Sequence, residues 1–463
     1  MNVEQIYTGC LSQGSYFVES NGEAAVIDPL RDISQYLKLA KSTKSKIKYI
    51  FETHFHADFV SGHLTLAKKT GATIVYGPCA DPEFEALICK DNQVFKIGNV
   101  TITAIHTPGH TLESTSFLLK DENEKEFAVF TGDTLFLGDV GIPDVAQRYK
   151  GTTKEELAGI IFDSVNNKIK PLPDHILVYP GHGAGSACGK NMMKATVDTL
   201  GNQKKINYAL NGTLSRKMFI KELTDELPEP PAYFPSNVKL NQTGYKDIDE
   251  LIEKNCKPFS AEEFKILAQK NNHIILDVRS QDDFKNGYIP NSLFIGLNGG
   301  FAPWVGSVLK NIEQKILLVC DNGQENEAIT RLARVGFDNV VGYLSGGFHN
   351  WEKSGESKET IDSITAQNLE KMINGDMSIV DVRTCGERKN GFLKNSVDIS
   401  LDKIESEYKS LDNTRKHYIH CAGGYRSMIA CSYLKKQGLN SVVDVQGGFS
   451  AISKNTDLEI IKS

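Results

Sequence analysis

Short apolar runs separated by polar turns recur along the first half of the chain. Residues 16–19 and 24–27 read as strands, the second closed by Asp28 and Pro29. Apolar positions at helical spacing follow over 33–41, and strand patterns return at 47–52, 73–76, 100–105, 127–130 and 176–179. This mixture predicts a layered α/β domain. The stretch 192–223 reads as helix-rich and runs into Pro228, Pro230, Pro231 and Pro235. Prolines so closely spaced cannot continue a helix and read as a stiff connection. A first boundary is therefore expected near residue 240.

The remainder carries an internal repeat. Ile275-Leu276-Asp277-Val278-Arg279 returns as Ile379-Val380-Asp381-Val382-Arg383. Lys285-Asn286-Gly287-Tyr288 returns as Lys389-Asn390-Gly391-Phe392, and Gly346-Gly347-Phe348 as Gly447-Gly448-Phe449. Each copy alternates apolar strands (316–319 and 417–420) with helices (326–335 and 427–437), which predicts parallel strands joined by crossover helices. The polar stretch 354–362 reads as the joint. The expected domains are 1–240, 241–355 and 356–463.

Composition narrows the class. The 463 residues suit several domains of roughly 100–200 residues each. A hydrophobic share of 40% with 24% charged residues is that of a soluble globular chain. The net charge of −6, without a basic block, argues against a nucleic-acid partner. No apolar run reaches the ~18 residues of a membrane span, and the first ten residues show no leader. Nine scattered cysteines do not make a disulfide scaffold, so a reducing cytoplasm is the expected setting.

Four segments place a metal-ligand type where an apolar strand ends. They hold His54, His56 and Asp58; His110; Asp133; and His182. In an extended segment alternate side chains share a face, so the first three can converge. Cys188 and His63 lie near these segments and read as structural. So do His106, His175, His273, His349, His417 and His420, which lack ligand-like spacing.

The second repeat copy holds His420-Cys421-Ala422-Gly423-Gly424-Tyr425-Arg426-Ser427 between a strand and a helix. Backbone amides at a helix N-terminus favour a thiolate, and two glycines let the loop curl inward around it. Arg426 adds a permanent positive charge. The first copy reads Cys320-Asp321-Asn322-Gly323-Gln324-Glu325-Asn326, with Glu325 in place of that arginine. Carboxylates near a thiol favour its protonated form, so Cys320 is expected to be a poor nucleophile. Cys385 and Cys431 read as incidental.

On these motifs the first region resembles the metallo-β-lactamase superfamily, whose usual signature is H-x-H-x-D-H; Phe59 stands here where its last histidine would be. The phrases THFHADFVSGH, HTPGHT, FTGDTLFLGDVG and YPGHGAGSACGKNM are most similar to persulfide dioxygenases fused to rhodanese domains. The resemblance implies an αββα sandwich followed by two rhodanese-like α/β domains with parallel sheets. It implies one Fe(II) per chain held by His54, His110 and Asp133, with His56, Asp58 and His182 as supporting groups. Two imidazoles and one carboxylate leave open positions for a sulfur anion and O2, whereas zinc would favour hydrolysis. The Cys-x4-Arg loop resembles that of rhodanese sulfurtransferases, so Cys421 would carry sulfane sulfur, cradled by Ala422, Gly423, Gly424 and Tyr425, with Arg426 beside it. The first copy is then a degenerate domain.

The function expected is oxidation of a small thiol persulfide by O2 to sulfite, coupled to sulfur exchange that makes or uses thiosulfate, in sulfide detoxification. A homo-oligomer without nucleic-acid or membrane partners is expected. Relatives acting on glutathione persulfide carry an arginine where this chain has Ile142, followed by Pro143 and Asp144, with Arg148 the nearest substitute; the thiol carrier stays open. The alternatives are a zinc-dependent thioester hydrolase of the glyoxalase II type and a sulfur-relay protein whose metal domain only scaffolds.

Overall fold

Alternating side chains along the first twelve strands bury one common face between two sheets. The structure is a computed structural model in which residues 1–143, 151–225, 227, 230–373 and 377–462 are described. The first sheet contains Asn2–Thr8 (β1), Gln13–Ser20 (β2), Glu23–Ile27 (β3), Lys46–Phe51 (β4), Thr73–Tyr76 (β5) and Leu87–Ile88 (β6), in that order. Its first three strands are antiparallel and the pairs from β3 to β6 parallel. The second contains Val94–Ile97 (β7), Val100–His106 (β8), Thr115–Lys120 (β9), Glu126–Gly132 (β10), Leu177–Pro180 (β11) and Asp198–Thr199 (β12), again in chain order.

Tyr16, Val18, Ile27, Phe51 and Val75 of the first sheet meet Phe95, Ile102, Phe117, Leu119 and Phe130 of the second. On the outer face of the second sheet Ile105, Leu118, Val129 and Val178 pack with Ala158 and Ile161 of helix Lys154–Ser164. Helix His63–Thr70 covers the outer face of the first sheet. The result is an αββα sandwich. Helix Lys154–Ser164 starts at a Thr153–Glu156 capping box, which satisfies its first amides.

Two sequence expectations change here. The stretch 192–223 is not helix-rich from its start: it holds the short helices Leu200–Ile206 and Arg216–Thr224. Thr199 and Ser215 accept amides at their N-termini, and buried Asn207 ends the first by donating to the Phe136 and Asp139 carbonyls. The proline run, in turn, leads into helix Phe234–Thr243, with Pro235 in its first turn where a missing N–H costs nothing. Pro228 lies outside the described residues, as do Asp144 and Arg148. The first compact unit runs over Met1–Glu250 and includes Ala333–Gly336; the second begins at Leu251.

The second unit contains two five-stranded parallel sheets of one topology. Pro258–Phe259 (β13), His273–Asp277 (β14), Leu293–Phe294 (β15), Lys315–Val319 (β16) and Val340–Leu344 (β17) lie in the order β13-β17-β16-β14-β15. Asp362–Ile364 (β18), Ser378–Asp381 (β19), Val397–Asp398 (β21), His417–His420 (β22) and Val442–Val445 (β23) lie in the order β18-β23-β22-β19-β21, while Phe392–Leu393 (β20) pairs with Ile460–Ile461 (β24).

The repeated motifs are structural. Arg279 clasps Asp277 and donates to the Gly287 carbonyl at 2.8 Å, its guanidinium 4.3 Å above the Phe348 ring. Arg383 repeats this with Asp381, Gly391 and Phe449, at 3.0 Å to the carbonyl and 3.7 Å to the ring. Gly347 and Gly448 are left-handed (φ 62° and 54°), and a Cβ there would fall 2.7 and 2.4 Å from the carbonyls of Cys320 and Cys421. The paired glycines thus let the last helix of each copy close on its cysteine loop.

Candidate functional site

The candidate ligands of the first unit follow four strands: His54 after β4, His110 after β8, Asp133 after β10 and His182 after β11. All are buried. His54 and His110 bring Nε2 to 3.9 and 3.6 Å of Asp133 Oδ2, and His182 Nε2 stands 3.6 Å from Oδ1. His54 and His56 lie side by side, ring centroids 4.3 Å apart, but the expected set of His54, His56 and Asp58 divides between two ligand groups. The chain bends after β4 instead of staying extended, so His54 joins His110 and Asp133, while His56 and Asp58 group with His182.

Neither Asp133 carboxylate oxygen meets a hydrogen-bond donor among the described residues. A buried, donor-free carboxylate facing two imidazoles is costly alone and fits a cation between them. The ring orientations agree. His110 Nδ1 is 2.8 Å from the Ile142 carbonyl, so it carries the proton and leaves Nε2 its lone pair. His54 Nδ1 lies 3.0 Å from Thr53 Oγ1, whose own proton goes to Asp28 Oδ2 at 2.9 Å. Gly181 is required beside Asp133, since a Cβ there would lie 2.5 Å from Oδ1.

His56 is engaged elsewhere, its Nε2 lying 3.1 Å from Asp28 and 3.5 Å from Glu52. Burial opposes its charge, but the two carboxylates outweigh it and hold His56 protonated well above the usual histidine range. Phe59 packs against the same ring, centroids 4.3 Å apart and planes tilted by 33°. His63 reaches Glu52 at 3.3 Å, the structural part read from the sequence. Cys188 is buried with its sulfur within 4.8 Å of ligand atoms of Asp133 and His182, so it stands at the site rather than behind it. The Ile142 side chain packs into the core and offers a ligand nothing polar.

Sequence reasoning missed Asp28, Glu52 and Asn241. The first two carried the signal used for the others, a polar residue directly after a strand. Asn241 gave none: it lies on the helix after the prolines. Its carboxamide donates to the His56 and Phe59 carbonyls at 2.8 Å each and accepts the Ser61 amide at 2.9 Å.

In the second unit Cys421 follows β22 and is buried. Its sulfur accepts the Gly424 amide at 3.1 Å and lies 3.7 Å from Ser427 Oγ. Gly424 is left-handed (φ 108°), which turns that amide inward. Tyr425 donates its hydroxyl to the Gly296 carbonyl of the first copy at 2.7 Å, and Gly299 leaves room for its ring. Arg426 is not free to serve the sulfur alone. It forks onto Glu387, the capping-box residue of helix Cys385–Lys389.

The first copy differs as expected. Burial, then Glu325, Asp277 and Asp321, pushes the Cys320 thiol up to about 12. Cys320 lines an open cavity of about 370 Å³ with Arg279, Asn322 and Phe348.

Comparison with known proteins agrees with this architecture. The metallo-beta-lactamase superfamily matches residues 8–88, and the rhodanese-like domain matches residues 260–354 and 365–455. A probable hydroxyacylglutathione hydrolase of Schizosaccharomyces pombe is 35% identical over 35% of this chain, which spans 60% of that protein's length. A hydroxyacylglutathione hydrolase of Polaromonas sp. is 30% identical over 50% of this chain and 93% of its own. A crystal structure of a metallo-beta-lactamase from Staphylococcus aureus subsp. aureus COL superposes with a TM-score of 0.65 at 32% identity, covering 74% of this chain and 98% of that one. The chain belongs to the metallo-beta-lactamase superfamily. Its superfamily domain is followed by two rhodanese-like domains, and proteins of this fold bind divalent metals. No helix among the described residues is long and apolar enough to cross a membrane.

Proposed function

We propose that the chain oxidises a low-molecular-weight thiol persulfide with O2 to sulfite, and that its last domain exchanges sulfane sulfur through Cys421. The observation that carries the first half is the division of the candidate ligands. His54, His110 and Asp133 form a two-histidine, one-carboxylate group, while His56 is held by Asp28 and Glu52 and Phe59 replaces a further ligand. Ferrous iron held by such a group supplies redox chemistry with open positions for O2 and a sulfur anion. The residues themselves bury the site, fix both imidazole tautomers and, among the described residues, leave the Asp133 carboxylate oxygens without a competing donor. Overall, the persulfide gives up its terminal sulfur as sulfite, water supplies the third oxygen, and thiol and protons are released. In the second unit the Gly424 amide aimed at Cys421 supports a thiolate able to accept sulfane sulfur.

A second reading has specific support: the Schizosaccharomyces and Polaromonas relatives are described as hydroxyacylglutathione hydrolases, which favours zinc and thioester hydrolysis. One experiment separates the two. Metal content of anaerobically purified protein is measured with O2 consumption on several persulfides and with hydrolysis of a hydroxyacylglutathione. One iron per chain with O2 uptake supports the oxygenase; paired zinc with hydrolysis and no O2 uptake supports the hydrolase. The thiol carrier is left to the same substrate series, because Ile142 offers no charge to a carboxylate.

A further inference from the structure

Behind the Cys421 loop runs a chain of polar groups that the sulfur-exchange reading does not use. Ser427 Oγ lies 3.7 Å from the Cys421 sulfur and 2.6 Å from Asp444 Oδ1. Ser427 Oγ also approaches the Gly424 carbonyl at 2.9 Å, but the shorter contact is to the carboxylate. Ser363 donates to the other oxygen of Asp444 at 3.2 Å. Asp444 is 4% exposed, yet it borders a cavity of about 140 Å³ bounded by Gly424, Gln446 and Gly447 of its own copy and by Gln281 and Lys285 of the first. A proton on Asp444 therefore has a route to water.

The first copy supplies an internal comparison. There the positions of Ser427 and Asp444 hold Asn326 and Tyr343, alongside Glu325 in place of Arg426. The hydroxyl–carboxylate pair is thus present with the intact loop and absent from the degenerate one. The intact loop also needs it, because the charge of Arg426 is shared with Glu387.

We propose that Asp444 is a positioning residue that takes and returns the Cys421 proton through the Ser427 hydroxyl. This rests on the reading of Cys421 as the sulfur-carrying thiol. The Cys421 thiol gives its proton to Ser427 Oγ as Ser427 gives its own to Asp444, leaving a thiolate, an unchanged serine and a protonated carboxyl. The thiolate then attacks the outer sulfur of thiosulfate: a sulfur–sulfur bond forms to Cys421, the old one breaks, and sulfite leaves with its electron pair. When an acceptor removes that sulfur the proton returns by the same route. No outside oxidant or reductant is needed.

The setting tunes Asp444 for this exchange. Burial pushes its carboxyl up to about 6, against the hydrogen bonds from Ser427 and Ser363. The charged and titratable groups facing it are Lys285 and Asp282 from helix Gln281–Asn286 and Cys431 from helix Tyr425–Lys436.

The test follows iodoacetamide alkylation of Cys421 in the full chain by peptide mass spectrometry across mildly acidic to mildly alkaline pH, beside sulfur transfer from thiosulfate to cyanide. Asp444→Asn should lower the neutral-pH alkylation rate roughly tenfold or more and remove the inflection near pH 6. Ser427→Ala should do the same, and the double variant should be no slower than either single one, as expected for residues acting as a unit. An unchanged pH profile in Asp444→Asn, or losses that add in the double variant, would overturn the proposal. Should one variant fail to fold, the other carries the test. Sulfur transfer surviving in Cys421→Ala defeats the underlying reading instead.

Discussion

Arg426 and Glu387 form a two-pronged ion pair at 2.7 and 2.6 Å, and the same carboxylate caps the Cys385–Lys389 helix through Thr384. The cationic group of the cysteine loop is therefore locked to a helix of its own copy, with its charge partly offset before any substrate arrives. In the first copy the corresponding residues are Asp283 and Glu325, two acids that cannot pair.

Replacing that partner should act on the thiol. Glu387→Gln leaves the guanidinium unopposed near Cys421, and the pH profile of Cys421 alkylation should move to lower pH. An unmoved profile would mean that the guanidinium does not act on the sulfur.

The two cysteines should differ sharply. Cys421→Ala should abolish sulfur transfer from thiosulfate, while Cys320→Ala leaves it nearly intact, because the Cys320 thiol is held at about 12. Loss of transfer in Cys320→Ala would assign the first copy an active part.

Acid should weaken the two copies unequally. Burial opposes ionisation of Asp381, but hydrogen bonds from Arg383 and the charge of His420 hold it below the usual carboxylate range. Such a group adds stability that is full above about 3.9 and lost as pH falls through its lower folded value. Arg388 also binds Asp381, at 2.7 Å. For Asp277, with Arg279 as its clasping arginine, burial wins and raises the value, so acidification through that range costs the first copy nothing at this position. Hydrogen exchange measured near pH 5 and then stepwise down to about pH 2 should show strand β19 losing protection before β14.

Asn241 should matter to metal retention although it touches no ligand atom. Asn241→Ala removes two donors and one acceptor from the turn carrying His56 and Phe59. Metal affinity should fall roughly 10–100-fold, read by chelator competition. Stability should fall by about 1–3 kcal/mol for buried groups left unpaired, read by denaturant titration.

Phe59→His tests whether the missing ligand holds the proposed centre to one metal. The phenyl ring packs against His56 in a buried position. An imidazole there should raise the metal count per chain above one by elemental analysis. An unchanged count would show that the engagement of His56 by Asp28 and Glu52, not the missing ligand, limits the site.

The sequence alone determined what depends on local order. Strand periodicity predicted a layered α/β domain, and the resemblance of the ligand motifs implied the αββα sandwich. The strand–helix alternation of the duplicated copies predicted parallel sheets, because side-chain alternation is set by neighbouring residues. A ligand type after each of four strands marked the metal candidates for the same reason. The tertiary structure decided how those groups divide. His54 and His56 are two residues apart, yet one faces Asp133 and the other Asp28 and Glu52, since the turn is held by Asn241 from a helix far along the chain. Arg426 is claimed by Glu387 and Cys421 is backed by Asp444 in the same way. Charge pairing and hydrogen bonding act through space, and only the folded chain sets which partners meet.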